Sequence, residues 1–513
     1  MLQIDQLTIR LRKDQRTLIE NFQFSLGDRQ QKIALIGEEG NGKSTFLKAL
    51  YQPELLAPYA DIEGTIQTTG EKLAYLPQIL GEDWQENSVS EVFHETIPWD
   101  RLDYNLCYRL CQQLGVDPDL LEADFPARQL SGGEKIRFAL LLLLLQEPSI
   151  LLLDEPSNDL DLASVEMLEY LIQNFPGPIF FISHDERLLE ACATTIIHFE
   201  QLVHKTQPVY TVKAVPYRTY VAEREASIQK QNQLAGQEKR AMASRLAAFQ
   251  RQKNQVEHAL RSTKNDVEGR LLAKKMHSVQ SVGRRLDKAQ EDMTQKRIVE
   301  EAIDLTFDED ISLPNNQTVL DLDLPTLEVG GKVLSRNVTL SVRGPEKICI
   351  VGPNGSGKTT LLHEILRALE DRPFQVAYMP QSYVDELDLT KSPVEFLTKD
   401  HTKDEYTRIR TYLGSLNYTP EEMLRPLGGL SGGQQAKLYF AKMIFSRAQV
   451  LVLDEPTRNL SPLSGPQIRA ALQAYPGGIL AVSHDRVFID AVFDKVYELT
   501  PDGLVARREA SGL

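Results

Sequence analysis

A glycine loop that fits G-x-x-x-x-G-K-[ST] occurs twice in this 513-residue chain. The copies are Gly37-Glu38-Glu39-Gly40-Asn41-Gly42-Lys43-Ser44 and Gly352-Pro353-Asn354-Gly355-Ser356-Gly357-Lys358-Thr359. Each follows an apolar run, Lys32 to Ile36 or Lys347 to Val351, and precedes a segment that reads as a helix, Thr45 to Tyr51 or Thr360 to Leu369. Strand, glycine loop and helix in that order wrap backbone N–H groups around nucleotide phosphates, at a helix N-terminus whose dipole favours anions. One match is weak evidence, because glycine-rich turns are common; two matches in the same context are strong. The rest of the pattern repeats as well. Leu130-Ser131-Gly132-Gly133, Asp154-Glu155-Pro156 and His184 recur as Leu430-Ser431-Gly432-Gly433, Asp454-Glu455-Pro456 and His484, at a constant offset of 300.

Each repeated residue type suits one part of nucleotide chemistry. Gly37, Gly40, Asn41, Gly42, Lys43, Ser44 and Thr45 form the first phosphate loop; Gly352, Asn354, Gly355, Ser356, Gly357, Lys358, Thr359 and Thr360 form the second. Lys43 and Lys358 neutralise phosphate charge, and Ser44 and Thr359 offer a hydroxyl to Mg²⁺. Asp154 and Asp454 end apolar strands, where a carboxylate holds the metal's water shell, and Glu155 and Glu455 are placed to orient or deprotonate an attacking water. Gln78 and Gln381 share the tetrapeptide pattern Tyr-x-Pro-Gln and reach toward metal and γ-phosphate, and His184 and His484 follow apolar strands and can bond the γ-phosphate.

The strand and helix pattern predicts two α/β domains, each a mainly parallel sheet with a small antiparallel front. The front strands are expected at Leu2 to Arg10 and Phe22 to Leu26, and at Thr326 to Val329 and Val338 to Val342. Six consecutive leucines from Leu140 stop at Gln146, far short of the ~20 residues that span a bilayer, so they read as a buried helix and no membrane span is expected. Four cysteines suggest a reducing compartment, with Cys107 and Cys111 as packing thiols.

Different sequence separates the repeats. Glu225 to Glu300 has no proline, and Ile228, Ala235, Met242, Phe249 and Val256 recur at heptad spacing, with Val279, Leu286 and Met293 in a second run. Two such runs joined near Ser262 to Gly269 predict an antiparallel coiled-coil hairpin, with arms of about 35 residues reaching ~50 Å. The chain carries −15 overall, yet this stretch holds sixteen Lys and Arg against nine Asp and Glu, a net of +7. The expected domains are residues 1–205, a basic linker at 206–314, and 315–513.

The Leu-Ser-Gly-Gly-Glu and Leu-Ser-Gly-Gly-Gln tetrads with their following residue resemble the signature sequences of ATP-binding cassettes, and the resemblance extends over nearly the whole chain. It implies that the signature of one cassette closes on ATP held by the other. Ser431, Gly432 and Gly433 would complete the site of Lys43; Ser131, Gly132 and Gly133 would complete that of Lys358. Two fused cassettes, no membrane span and a charged helical linker resemble the ABC-F family. That resemblance implies a cytoplasmic ATPase, monomeric with its two cassettes paired, that binds the ribosome near exit-site tRNA and moves its linker toward the peptidyl-transferase region. A basic linker suits rRNA phosphate.

The interval from Gln78 to Ser131 is 53 residues against 50 from Gln381 to Ser431, so the first cassette has little room for an extra arm. A long linker with a reduced arm is similar to the antibiotic-resistance branch, the Lsa-like group, which implies protection against lincosamide, streptogramin A and pleuromutilin drugs. The same motifs also fit a translation factor without a resistance role, or the ATPase of a transporter with separate membrane subunits. In DNA-maintenance ATPases of this superfamily a coil splits one cassette; here both are contiguous, and no DNA partner is expected. Two departures stand out. No aromatic residue for adenine stacking occurs in Thr8-Ile9-Arg10-Leu11 or Leu327-Glu328-Val329-Gly330, so GTP is expected to be accepted as well as ATP. Asp161 of the first cassette is matched by Ser461, which predicts unequal hydrolysis at the two sites.

Overall fold

Two short, apolar strands organise the molecule, and each becomes the centre of a six-stranded sheet. In this computed structural model the described residues are 2–27, 30–158, 160–202, 207–262, 266–291, 307, 311, 313–383, 388–416, 418–458 and 460–507. Asp159, Asn459, Met293 and positions 263–265 of the expected hairpin turn lie outside them, as do 203–206 and 292–306 near the ends of the expected linker. The first sheet runs, edge to edge, Leu73–Leu76, Ile150–Asp154, Ile179–Ile182, Lys32–Ile36, Thr195–Gln201 and Gln207–Lys213. The second runs Val376–Met379, Val450–Asp454, Gly478–Val482, Lys347–Val351, Lys495–Thr500 and Gly503–Arg507. All neighbours are parallel except the last pair of each sheet. Strands with both faces covered need continuous apolar runs rather than alternation, and Ile150 to Leu153 supplies one.

The antiparallel fronts alternate instead. Leu2–Leu11 pairs with Thr17–Ser25 and Ala60–Thr68, and Thr318–Val329 pairs with Lys332–Arg343. The second hairpin is longer than the sequence predicts at both strands. Leu320 and Leu322 face the core while Asp321 and Asp323 face water, so the aspartates that interrupt an apolar run fit the solvent face of a strand. Phe22, Phe46, Phe180 and Phe199 are buried together in the first cassette, each contributing about 1.5–3 kcal/mol by leaving water. The leucine run lies in the helix Gly132–Leu145, buried through Leu142. All four cysteines are buried free thiols. Among the described residues, no helix is long and apolar enough to cross a membrane.

Met1–Tyr217 with Glu300–Leu513 forms one unit, and Arg218–Val299 a second. The second unit contains the helix Tyr217–Ser262 and the helix Asp266–Glu291. The first helix has 46 residues, roughly 70 Å at the α-helical rise, and is longer than the expected arm because Pro216 is the last breaker before it. Ile228, Ala235, Met242, Val256 and Val279 are buried at heptad positions. Gly283 lies against Phe249, where an added Cβ would come within 2.9 Å of the ring. Gly283→Val is therefore expected to force the helices apart and destabilise their packing by about 1–3 kcal/mol. Hydrogen exchange in the helix Tyr217–Ser262 should quicken; unchanged exchange would show that Phe249 turns aside freely.

Candidate functional site

The phosphate loops are shaped by their own lysines. Gly37 and Gly352 sit at φ 141° and 151°, in the region that favours glycine. A Cβ on Gly37 would lie 2.2 Å from the Phe199 carbonyl oxygen of the next strand, so glycine is required twice over. Lys43 Nζ donates to Gly37 O at 2.8 Å and to Glu38 O at 3.0 Å; Lys358 Nζ donates to Gly352 O at 2.9 Å and to Pro353 O at 3.0 Å. With the carbonyls turned inward to a buried ammonium, the loop can present its N–H groups to an anion.

The adjacent strand brings a carboxylate to each loop. Asp154 is buried and accepts from Ser44 Oγ at 2.9 Å and Tyr75 Oη at 3.0 Å. Glu155 and Glu455 follow at φ 52° and 50°, left-handed positions that cost a non-glycine residue about 1–3 kcal/mol. Their N–H groups bond Ile182 O and Val482 O, which holds the strained turn. In the first cassette Glu155 accepts from Gln78 Nε2 at 2.8 Å and lies 3.2 Å from His184 Nε2. His184 Nδ1 lies 2.5 Å from Leu460 O of the second cassette. Burial works against the Glu155 charge, but the His184 bond and charge and Lys43 outweigh it and hold the carboxyl down to about 2. Burial also opposes charge on His184, yet Glu155 overcomes it and raises the imidazole. The two form an ion pair.

The second cassette differs. Glu455 Oε2 accepts the His484 N–H at 3.2 Å, while Oε1 stands 3.5 Å from His484 Nε2 without a hydrogen bond. Burial, and then Asp454, push Glu455 up to about 8; burial, and then Lys358, push His484 down to about 4. Both Asp454 oxygens, Ser356 Oγ and His484 Nδ1 are buried without a hydrogen bond of normal geometry. Thr359 lies near enough to lower the Asp454 pKa, but burial outweighs it and the pKa stands above its usual value. Orphaned oxygens on a carboxylate and a hydroxyl beside a phosphate loop suit a hard cation that keeps most of its water. No cluster of three or more His, Cys, Asp or Glu occurs among the described residues, so the fit is to Mg²⁺ shared with phosphate rather than caged by protein. Ser44, Gln78 and Asp154, or Thr359, Gln381 and Asp454, are the positions available to it.

Each signature faces the loop of the other cassette. Ser131 and Ser431 are N-caps of the helices Gly132–Leu145 and Gly432–Ser446, in capping boxes closed by Glu134 and Gln434. Gly132 lines a cavity of about 620 Å³ together with Asn354, Gly355, Lys358, Thr360 and Gln381. Across the other seam, Gly433 N–H donates to Glu39 Oε2 at 2.5 Å. Beside it Ser464 Oγ donates to Glu38 Oε1 at 3.3 Å, and Lys437 Nζ lies 3.6 Å from the same oxygen. Sequence reasoning left Glu38, Glu39, Lys437, Tyr75 and Asn158 without a role. The available signal was the difference between copies: Glu38 and Glu39 stand where the second loop has Pro353 and Asn354. Ser461 also has a local consequence. Asp161 accepts the Ser164 N–H at 2.9 Å and starts a helix at Leu162, whereas the matching helix begins only at Gly465.

Glu39 holds a helix N-terminal donor of the kind a phosphate would use, and it adds a negative charge beside the first site. Glu39→Asn is expected to strengthen Mg-ATP binding there about tenfold. Isothermal titration in the Glu155→Gln, Glu455→Gln background reads it; an unchanged affinity would mean the carboxylate yields its donor without cost. The cavity that Gly132 lines is walled by Val329, Lys332 and Leu334 beside the second glycine loop, and among the described residues that line it there is no Phe, Tyr or Trp to stack a base. ATP and GTP should therefore bind there within a factor of about ten of each other, as competition with a fluorescent nucleotide would report. A hundredfold preference would require polar contacts to the base.

Residues 19–158 and 335–458 match the family model described as ABC transporter. The chain is 30% identical over 401 residues to an Arabidopsis thaliana protein named ABC transporter F family member 5, covering 76% of this chain and 54% of that one. It is 29% identical to the Bacillus subtilis ribosome protection protein VmlR, over 92% of this chain and 82% of the relative. Among solved structures it shares its fold with an archaeal ribosome recycling factor, solved in complex with a ribosomal stalk protein. That match has a TM-score of 0.59 and 17% identity, over 98% of this chain and 90% of the other.

Proposed function

This chain belongs to the ABC transporter family, as an ATPase with two ABC-F-like cassettes in tandem, and we propose that it is a cytoplasmic, ribosome-binding member that works on the peptidyl-transferase region. The observation that carries this reading is the long basic two-helix unit inserted between cassettes that touch each other through their sites. Its charge suits rRNA phosphate and exit-site tRNA. The names of its relatives, a ribosome protection protein and an ABC-F member, support the same direction.

In this mechanism ATP bound at each glycine loop is completed by the opposite signature: Lys43 with Ser431 and Gly433, Lys358 with Ser131 and Gly133. Closing the cassettes moves the hairpin, which reorganises the tRNA end or the drug pocket and protects the ribosome from lincosamide, streptogramin A and pleuromutilin antibiotics. Ser44, Gln78 and Asp154, and Thr359, Gln381 and Asp454, would hold a Mg²⁺ ion that would supply charge neutralisation to the phosphates. Glu155 and Glu455 take a proton from the attacking water. Its oxygen bonds the γ-phosphorus as the bond to the β,γ-bridging oxygen breaks, and ADP and phosphate leave. His184 and His484 hold the γ-phosphate and Gln78 and Gln381 align it. Hydrolysis then releases the ribosome.

The double variant Glu155→Gln, Glu455→Gln should cosediment with ribosomes in ATP at least tenfold more than wild type. Equal recovery would refute ribosome trapping by the closed state. Deleting residues 262–269 should abolish protection in drug inhibition assays while ATPase activity persists. Ribosome trapping without any protection in the intact protein would assign it to translation without a resistance role.

A further inference from the structure

Two ion pairs cross the seam between the cassettes at positions related by the 300-residue repeat. Arg469 clasps Glu186 with both guanidinium nitrogens, at 2.7 and 3.0 Å. Arg486 Nη2 bonds Glu169 Oε1 at 2.5 Å. Residues 186 and 486 are equivalent, as are 169 and 469, since no residue is inserted between Glu155 and His184 relative to Glu455 and His484. The two bridges are therefore one contact seen twice. At both, the acid comes from the first cassette and the base from the second. The side chains are only 12–20% exposed, so their charges are largely withdrawn from solvent screening. Gly465 makes room for the bidentate pair: a Cβ there would lie 2.3 Å from Glu186 Oε1 and 2.7 Å from Arg469 Nη1.

This sorting has a consequence that symmetric bridges would not have. If two first cassettes from different chains met through the same face, Glu186 would oppose Glu169 at both contacts. If two second cassettes met, Arg486 would oppose Arg469. Only the first cassette against the second gives attraction at both places, and like charges facing each other in a desolvated contact are strongly disfavoured. A third cross-seam bridge, Arg187 with Asp490, is not sorted in this way: Glu190 and Val487 stand at the matching places, so two first cassettes would still set Arg187 against Glu190, and the sorting rests on the other two bridges alone.

We propose that Glu169, Glu186, Arg469 and Arg486 form a charge code that makes the second cassette the required partner of the first and prevents pairing of identical cassettes. The code goes beyond the ribosomal role, since it concerns only how the cassettes find each other, and it is tested without ribosomes. Arg469→Glu with Arg486→Glu sets four acids against one another. ATPase activity should fall tenfold or more, and ATP-dependent energy transfer between dyes on the two cassettes should be lost. Adding Glu169→Arg and Glu186→Arg restores both bridges with the charges exchanged, and activity should return to within about threefold of wild type. Neutralising all four to Gln should yield concentration-dependent dimers in sedimentation velocity, where wild type remains monomeric. The proposal is overturned if the double reversal leaves activity unchanged. It is also overturned if the fourfold exchange fails to recover activity while retaining nucleotide binding and helix content, or if the neutral variant stays monomeric. Loss of ribosome binding with a normal charge-exchange rescue would sink the ribosomal reading and leave this one standing.

Discussion

Burial of one short strand at the centre of each sheet is the constraint on which the sites depend. Lys32–Ile36 and Lys347–Val351 have a parallel neighbour on both sides, and their last residues lead directly into the phosphate loops. The chain crosses over from these strands to the acid strands and the histidine strands on one side of the sheet, so loop, carboxylate and histidine emerge at the same carboxyl edge. The loop's shape then needs no ligand to define it. It is held by a buried lysine bonded to two carbonyls and by a glycine pressed against the neighbouring backbone.

From that shared frame the two sites diverge through a few side chains. The first has a complete network: Gln78, Asn158 and His184 converge on Glu155, and His184 reaches the second cassette at Leu460. The second leaves Asp454 and one oxygen of Glu455 buried without a hydrogen bond of normal geometry, an arrangement that suits a cation shared with phosphate. Glu39 binds the N-terminus of the opposite signature helix and Glu38 binds Ser464 beside it in the first site, whereas the second has Pro353 and Asn354. The two sites thus differ structurally at more places than the exchange of Asp161 for Ser461.

Much of this architecture was legible in sequence because the relevant signals are local. The runs 32–36 and 347–351 are strands with the predicted bounds, since a doubly buried strand must be apolar and glycine ends each of them. Heptad spacing located the helical pair, whose buried positions include Ile228, Ala235, Met242 and Val256. Less legible were half-buried elements. Asp321 and Asp323 hid the true length of a front strand, and the apolar heptad spacing does not reach back to Tyr217, where Pro216 lets the first long helix begin.

The residues by themselves determined the chemistry: two glycine loops, two acid strands and two signatures, each recognisable because phosphate binding demands particular residue types at close spacing. Through what contacts the two copies meet was decided by the tertiary structure. Glu39 meets Gly433, His184 meets Leu460, and Glu186 and Glu169 meet Arg469 and Arg486, all at separations of hundreds of residues. Such pairs carry no periodicity and no motif. A glutamate on one helix and an arginine on another read as solvated charges until folding places them 3 Å apart, away from water, where their signs begin to matter.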